Sequence, residues 1–273
     1  MTDHRSPPPL SIWTRLAVEP VANPLARLVS RWGPATPNRV TIGAGLLGIA
    51  AAGSFVAGWL VAGGLLFLLR YVLDCVDGKV ARLRGLSSTR GAALDIHVDV
   101  AGISLCAGAL VFHLVDRGGL PVWVALSVMG ALTIYNFGLA YRKDLARQAG
   151  RGSGGSAHEW TAGGPFGGWL RWCRRMNMMP FPWTADVETV VFGLAPMFLP
   201  VSWLWVVLLG GVAFYLLATA VNMRRVWSIA AHLDQQRSTL FSHQDSAITA
   251  PTTTTGPTPP NAPTEVTHDD STE

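Results

Sequence analysis

Of 273 residues, 49% are hydrophobic and 14% charged, against about 25% charged in an average soluble domain. With 11 Trp, 29 Gly and long apolar runs, this excludes an ordinary soluble core and points to an all-α polytopic membrane protein. The net charge of +4, with its basic residues clustered, suits a membrane surface and anionic lipid or phosphate ligands and argues against nucleic acid.

The first ten residues, MTDHRSPPPL, are polar and proline-rich; they read as disordered and carry no cleavable signal peptide. Residues 11–32 set Trp13, Leu16, Leu25, Leu28, Val29 and Trp32 among Arg15, Arg27 and Arg31. Too charged to span, the segment reads as an interfacial amphipathic helix on the cytoplasmic leaflet, or as a helix packed on the membrane domain. Pro20 and Pro24 should kink or split it. Pro37-Asn38 opens the first span, with Asn38 as its N-cap, and residues 39–58 are small and apolar. A second span runs from about Trp59 to Arg82. A polar loop, 83–90, leads to a third from Gly91 to about Val115. After a turn at 116–119, a fourth covers Leu120 to Tyr141. A basic, glycine-rich stretch from Arg142 to Pro182 is too polar to insert. A fifth span begins near Asp186, and a sixth runs from about Val201 to Asn222, where Arg224 and Arg225 stop it. The chain thus divides into an N-terminal arm (1–36), a six-helix membrane domain (37–234) and a Pro/Thr-rich tail (235–273) that lacks apolar periodicity and reads as disordered.

An even number of spans puts both termini on one side. The arm, the 83–90 loop, 142–182 and everything after 223 carry nearly all of the Lys and Arg, and the opposite loops carry Arg117. The positive-inside rule makes the basic side cytoplasmic, at a cell membrane. Cys75, Cys106 and Cys173 are scattered without a CxxC pair and read as free thiols.

The chemistry sits between Asp74 and Asp99, at the cytoplasmic ends of spans two and three. Asp74, Asp77, Gly78, Ala81 and Arg82 fall on one helix face, and Gly91, Asp95 and Asp99 fall on another. A short loop lets the two faces oppose, so four carboxylates converge. At roughly 3 kcal/mol for each aspartate at a membrane centre, unpaired acids are costly there, and they repel one another. Divalent cations offset both effects, and an all-oxygen set suits Mg²⁺ or Mn²⁺ rather than Zn²⁺. Two such ions form a clamp for displacement at phosphorus. Gly78, Ala81 and Gly91 leave space for a base or a diphosphate, and Arg82 offers a fork for phosphate.

The string D-x2-D-G-x2-A-R-x8-G-x3-D-x3-D, from Asp74 to Asp99, is identified as the signature of the CDP-alcohol phosphatidyltransferase family. Pro37-Asn38-x-x-Thr41 also resembles the opening of that family's first span. The resemblance implies that a CDP-linked donor is cleaved with release of CMP while an alcohol takes the phosphoryl group. It implies that Asp74, Asp77, Asp95 and Asp99 bind two metal ions, that Asp99 is also the general base, and that Asp74, Gly78, Ala81, Arg82 and Gly91 surround the CDP moiety. A homodimer is implied as well. Beside this stand a soluble CDP-alcohol donor within the same family, and a cation or proton transporter using the aspartates.

Other residues read more plainly. Arg70, one turn before Asp74, reads as its charge partner. His97 reads as a packing or interface residue, and Lys79 as a side chain snorkelling to the headgroups. Asp186 and Glu188 read as caps of span five. Acceptor candidates are the cytoplasmic cations Arg142, Lys143, Arg147, Arg171, Arg174, Arg175, Arg224 and Arg225. The leading function is a membrane transferase of phospholipid biosynthesis. It moves a phosphatidyl group from CDP-diacylglycerol to glycerol 3-phosphate or an inositol phosphate.

Overall fold

A computed structural model describes residues 9–117, 119–149 and 166–249, with side chains up to Ser238. By internal packing the chain forms two units, Met1–Ala230 and Ala231–Glu273, and every site discussed below lies in the first. Among the described residues the structure is helical, with a single isolated bridge between Leu10 and Met178. The first eight residues of the arm lie outside the described ones.

The arm begins with a π-helical turn, Thr14–Val18, and continues as α1, Glu19–Arg31. Pro20 occupies the first turn and Pro24 sits inside, yet the helix is not split as expected. Pro20 follows directly on the π-helical turn, where the change of hydrogen-bond register takes up the missing donor. The cost of Pro24 is offset by an apolar face, as Val18, Ala22 and Ala26 are buried against Val76 and Val80 of α3. So α1 packs on the membrane domain. The small alanines let the two helices approach closely.

α2 (Pro37–Val56), α3 (Leu60–Leu83) and α4 (Thr89–Arg117) follow. Pro37 itself opens α2, and Thr36 stands at the N-cap without a side-chain bond. Asn38 is therefore inside the first turn rather than capping it. α3 ends at Arg84 and Gly85, where Gly85 has φ +64°, the left-handed turn that glycine tolerates best. α2 packs along both α3 and α4, whereas α3 and α4 touch each other little. α5 covers Val122–Gln148, and the short α6, Gly167–Arg175, lies in the basic stretch. Span five is a broken element: α7 (Thr184–Glu188), a π-helical turn (Thr189–Leu194) and α8 (Ala195–Phe198). α9 is assigned to Val201–Thr249.

Among the described residues four helical stretches are long and apolar enough to cross a membrane: Pro37–Val56, Thr89–Arg117, Val122–Gln148 and Val201–Ser238. The protein is an integral membrane protein. α3 falls outside that set because Arg70, Asp74, Asp77, Lys79 and Arg82 dilute its hydropathy. The broken α7–α8 element is too short.

Three boundaries differ from the sequence reading. Asp116 and Arg117 complete α4 instead of forming a turn, and Arg117 Nε lies 3.5 Å from its neighbour's carboxylate. Arg224 and Arg225 do not stop α9, since charged side chains end a membrane span without ending a helix. The tail expected from 235 is helical to Thr249, because residues 231–249 contain no Gly or Pro; residues 250–273 lie outside the described ones. The main core joins Phe55, Phe67, Leu110, Leu132, Phe192 and Leu208, with Phe67 and Phe192 rings 5.7 Å apart. All three cysteines are free.

Candidate metal and phosphate centre

The motif residues converge where α2, α3 and α4 meet. One carboxylate oxygen from each of Asp74, Asp77 and Asp95 lies within 4.8 Å of the others. Asp77 is the most enclosed, 3% exposed, and Asp74 and Asp95 are half-buried. Helical spacing explains the first pair, since Asp74 and Asp77 sit about one turn apart on α3. Asp95 comes from the first third of α4 because the loop from Gly85 to Ser88 reverses the chain.

α2 supplies the support. Thr41 Oγ1 donates to Asp77 Oδ2 at 2.5 Å, and Thr41 is itself buried. Gly91 lies against the same helix. A Cβ there would meet Ser88 Oγ at 3.1 Å and Asn38 Oδ1 at 3.3 Å, so a larger residue would push on the first turn of α2. The Gly91 amide donates to Ser88 Oγ at 3.0 Å.

Asp99 neighbours this cluster and is held by a cation. It is not one of the three clustered acids. Arg70 Nη2 donates to Asp99 Oδ1 at 2.6 Å and to the Asp99 carbonyl at 2.8 Å. The charge partner of Arg70 is therefore Asp99 on α4, not Asp74 on its own helix. Geometry decides this. The Arg70 side chain is 1% exposed and runs inward between α2 and α4, where only Gly48 and Gly102 leave room. Its Cζ also lies 5.8 Å from the Phe67 ring centroid.

The CDP-binding candidates on α3 differ in exposure. Gly78 and Ala81 are half-buried on α3, and Arg82 is exposed. A Cβ on Gly78 would make ordinary contact with Arg82 Nη1 at 3.5 Å, so Arg82 lies back along the helix over Gly78. Arg84, one turn from Val80, is committed elsewhere: its Nη1 donates to the Ala35 carbonyl at 2.6 Å.

Three further residues depart from the sequence reading. Lys79 does not snorkel to headgroups; it forms an ion pair with Glu19 of α1. His97 is exposed, and its Nδ1 bonds the Ala93 carbonyl of its own helix at 2.7 Å, so it is not packed in the interior of this chain. Glu188 does not cap α7; it accepts from Tyr215 Oη at 2.5 Å. Asp186 does cap it, accepting from the Trp183 amide at 2.7 Å, and also takes the Trp13 amide of the arm at 2.6 Å.

Among the cationic candidates, Arg142 is half-buried and lies within electrostatic reach of Arg225 and Tyr135. Lys143, Arg147, Arg171, Arg174, Arg175 and Arg224 are exposed. Arg142 on α5 and Arg225 on α9 thus feel each other's charge, and neighbouring like charges favour an anion.

The cluster fits hard divalent cations on chemical grounds. Three ionised carboxylates at up to 4.8 Å repel by about 3.5 kcal/mol per pair at an effective dielectric of 20. Arg70 is spent on Asp99. Oxygen donors without Cys or His suit Mg²⁺ or Mn²⁺.

Residues 34–216 match the CDP-alcohol phosphatidyltransferase family. The chain belongs to that family. As a CDP-alcohol phosphatidyltransferase it is an enzyme, with the clustered acids in the matched region. Among curated relatives, a bifunctional IPC transferase and DIPP synthase from Rubrobacter xylanophilus is 31% identical over 128 residues. That segment is 44% of this chain and 28% of the relative's length. Solved phosphatidylinositol phosphate synthase structures from Mycobacterium tuberculosis share the fold. The one with CDP-DAG bound has TM-score 0.52 at 20% identity, over 76% of this chain and 94% of that one. The apo form gives 0.52 at 23%, over 75% and 95%. A third, in complex with manganese and citrate, gives 0.50 at 21%, over 76% and 88%.

Thr41 and Arg70 are the residues whose roles sequence reading missed. Thr41 had a weak signal in the Pro37-Asn38-x-x-Thr41 string. Arg70 had only its cost: a buried cation in an apolar helix needs a partner.

Proposed function

We propose that this transferase moves a phosphatidyl group from CDP-diacylglycerol to a small phosphorylated alcohol of the glycerol 3-phosphate or inositol phosphate type, releasing CMP. The observation that carries the reading is the convergence of Asp74, Asp77 and Asp95 from two helices onto one point. A chain with no diphosphate to hold has no reason to bear the cost of three acids there.

In this reading Asp74, Asp77 and Asp95 hold Mg²⁺ or Mn²⁺, and Asp99 adds a ligand for a second ion. When bound, the ions neutralise the diphosphate and stabilise charge on the departing CMP oxygen. Arg82 forks a donor phosphate, and Gly78, Ala81 and Gly91 give the nucleotide room. Asp99 takes the proton from the acceptor hydroxyl. The freed oxygen attacks the phosphorus that bears diacylglycerol, the diphosphate bond breaks, and CMP departs with the electron pair. Arg142 and Arg225 hold the acceptor's own phosphate, with Lys143, Arg174, Arg175 and Arg224 supplying the surrounding positive field.

The layout supports a cytoplasmic active site in a cell membrane. The basic segments flank the motif end of the helices, and α3 and the α7–α8 element complete six spans packed against more apolar neighbours. The arm helix α1 lies along the cytoplasmic surface, and the enzyme works as a homodimer. The test is CMP release by purified protein with Mg²⁺ or Mn²⁺, CDP-diacylglycerol and a panel of phosphorylated and plain alcohols. The Rubrobacter relative carries a different activity in its name, so soluble CDP-alcohols belong in the donor panel. CMP release from those alone would reverse the polarity, and ion flux without CMP release would replace the enzyme reading by a transporter.

A further inference from the structure

The buried Arg70 has no role in the reading above, and its setting is unusual in three respects. Its side chain is 1% exposed, inside a helix that runs through the membrane domain. Both of its bonds go to one residue, the Asp99 side chain and the Asp99 carbonyl. And its slot is made by two glycines from different helices: a Cβ on Gly102 would overlap the guanidinium, and one on Gly48 would come within 3.1 Å of its Cδ. Arg70 Nε, facing Gly102, has no hydrogen-bond partner among the described residues. Space is thus kept for this side chain at the expense of one unmade bond.

The surroundings show why the location matters. The Arg70 charge acts on Asp74, Asp95 and Glu188 as well as on Asp99. It is the cation around which these acids are arranged, yet it bonds only Asp99. Gripping both the carboxylate and the carbonyl of one residue fixes that residue's side-chain rotamer. Oδ1 is held by Arg70, and among the described residues no hydrogen bond engages Asp99 Oδ2.

We propose that Arg70 is a positioning residue that holds the Asp99 carboxylate beside the three-acid cluster, keeping one Asp99 oxygen for the acceptor hydroxyl. The assignment rests on the transferase reading for the role of Asp99, but the arrangement it describes exists without substrate. Metal ions and Arg70 compete for the same carboxylate. Without Arg70, Asp99 would turn toward Asp74 and Asp95 and give both of its oxygens to the ions, leaving none for the acceptor hydroxyl.

Arg70→Met tests this, because it keeps an unbranched stem in the slot and removes only the grip. Measured by Mn²⁺ titration of the purified full-length protein, R70M should bind Mn²⁺ at least about tenfold more tightly. A positive charge has left the neighbourhood and Asp99 is free to ligate. In the same protein kcat for CMP release should fall by about 100-fold, the penalty for a reacting group displaced by an ångström or so, while donor KM stays unchanged. Adding Asp99→Asn to R70M should cancel part of the Mn²⁺ gain, since the two residues are coupled. A merely structural Arg70 predicts the opposite, weaker Mn²⁺ binding along with lost activity, and that result overturns the proposal, as does unchanged Mn²⁺ affinity. Gly102→Ala provides the second arm: it keeps the charge but pushes the guanidinium off Asp99, and should lower kcat in a protein whose Arg70 is intact. Wild-type kcat in G102A would also overturn the grip. If the wild type releases no CMP from any CDP-linked donor while R70M still tightens Mn²⁺, the donor reading fails and the positioning stands. If the wild type turns over and R70M matches it in both measurements, the positioning fails alone.

Discussion

Replacing Thr41 by Val tests how far the cluster depends on α2. The hydroxyl and the Asp77 carboxylate are each on residues 3% exposed, and their oxygens are 2.5 Å apart. The Pro37 carbonyl also faces Thr41 Oγ1, but at 3.2 Å. A hydroxyl has one proton, so the short contact takes it and Asp77 is the acceptor. Valine keeps the shape, so no cavity opens and the loss isolates the hydrogen bond. A bond to a charged acceptor contributes about 1.5–3 kcal/mol, which at about 1.4 kcal/mol per decade is roughly 10- to 100-fold in an equilibrium constant. The same range is typical when an outer partner of a metal ligand is removed. Mn²⁺ affinity of T41V, measured by calorimetry in detergent, should therefore weaken by that factor, with Thr41→Ser close to wild type because it restores the donor. Wild-type affinity in T41V would refute the reasoning: Asp77 would then need no orienting partner, or would not be a ligand.

Asp99→Asn should lower CMP release by about 10²–10⁴-fold, the usual contribution of a general base, in a protein that stays folded in detergent, since the amide can still accept from Arg70. Near-normal turnover would remove the base assignment. Arg82→Lys should raise the donor KM or lower kcat by roughly tenfold, the loss of one hydrogen bond to phosphate; Arg82 is exposed, so stability should not change. The arm should be acid-sensitive. Burial pushes the Glu19 carboxyl up, but bonds from Lys79 and Asn23 outweigh it and leave its pKa below the ordinary 4.5. A depressed carboxyl contributes stability that is full above its unfolded value and is lost as pH falls through the folded one. Protease cleavage within the arm should accordingly be pH-independent above about 5 and rise below 4.5. Glu19→Gln should abolish that dependence, and an unaltered profile in E19Q would place the acid-sensitive group elsewhere.

The motif was legible because its chemistry is costly. Acids in an apolar helix must be explained, and the i, i+3 and i+4 spacings of Asp74, Asp77, Asp95 and Asp99 fix which face each helix presents. Which carboxylates meet was not legible. All four Asp residues fit the pattern equally, and the one that stands apart is chosen by Arg70, which reaches across through Gly48 and Gly102. Two glycines separated by 54 positions (102 − 48) give no local signal that they form one slot. Lys79 was misread for a similar reason. A lysine near the end of a span has headgroups as its default partner, and only the docking of α1 on Val76 and Val80 brings a carboxylate to it. The broken α7–α8 element was hidden because Thr189–Leu194 is apolar enough to read as ordinary helix; the π turn shows only in the backbone. Apolar continuity likewise says nothing about where α9 ends, which is why Arg224 and Arg225 suggested a stop that the backbone ignores.

α3 carries the strain of this arrangement, and its neighbours explain how a helix so charged stays in place. Tyr71 Oη shares a 2.5 Å hydrogen bond with Thr14 of the arm, Val76 and Val80 are covered by α1, and Lys79 pairs with Glu19. On the facing side Asp77 is held by α2 and Arg70 by α4. Each polar residue of α3 from Arg70 to Lys79, apart from Asp74, is thus met by a side chain from another element. Among the described residues Asp74 meets only other acids and the reach of the Arg70 charge. On α3 it is thus the acid through which a cation enters the balance. That makes Asp74 the position where metal dependence should be steepest, and Asp74→Asn the variant that should cost Mn²⁺ affinity without cost to folding, because it removes repulsion and breaks no bond.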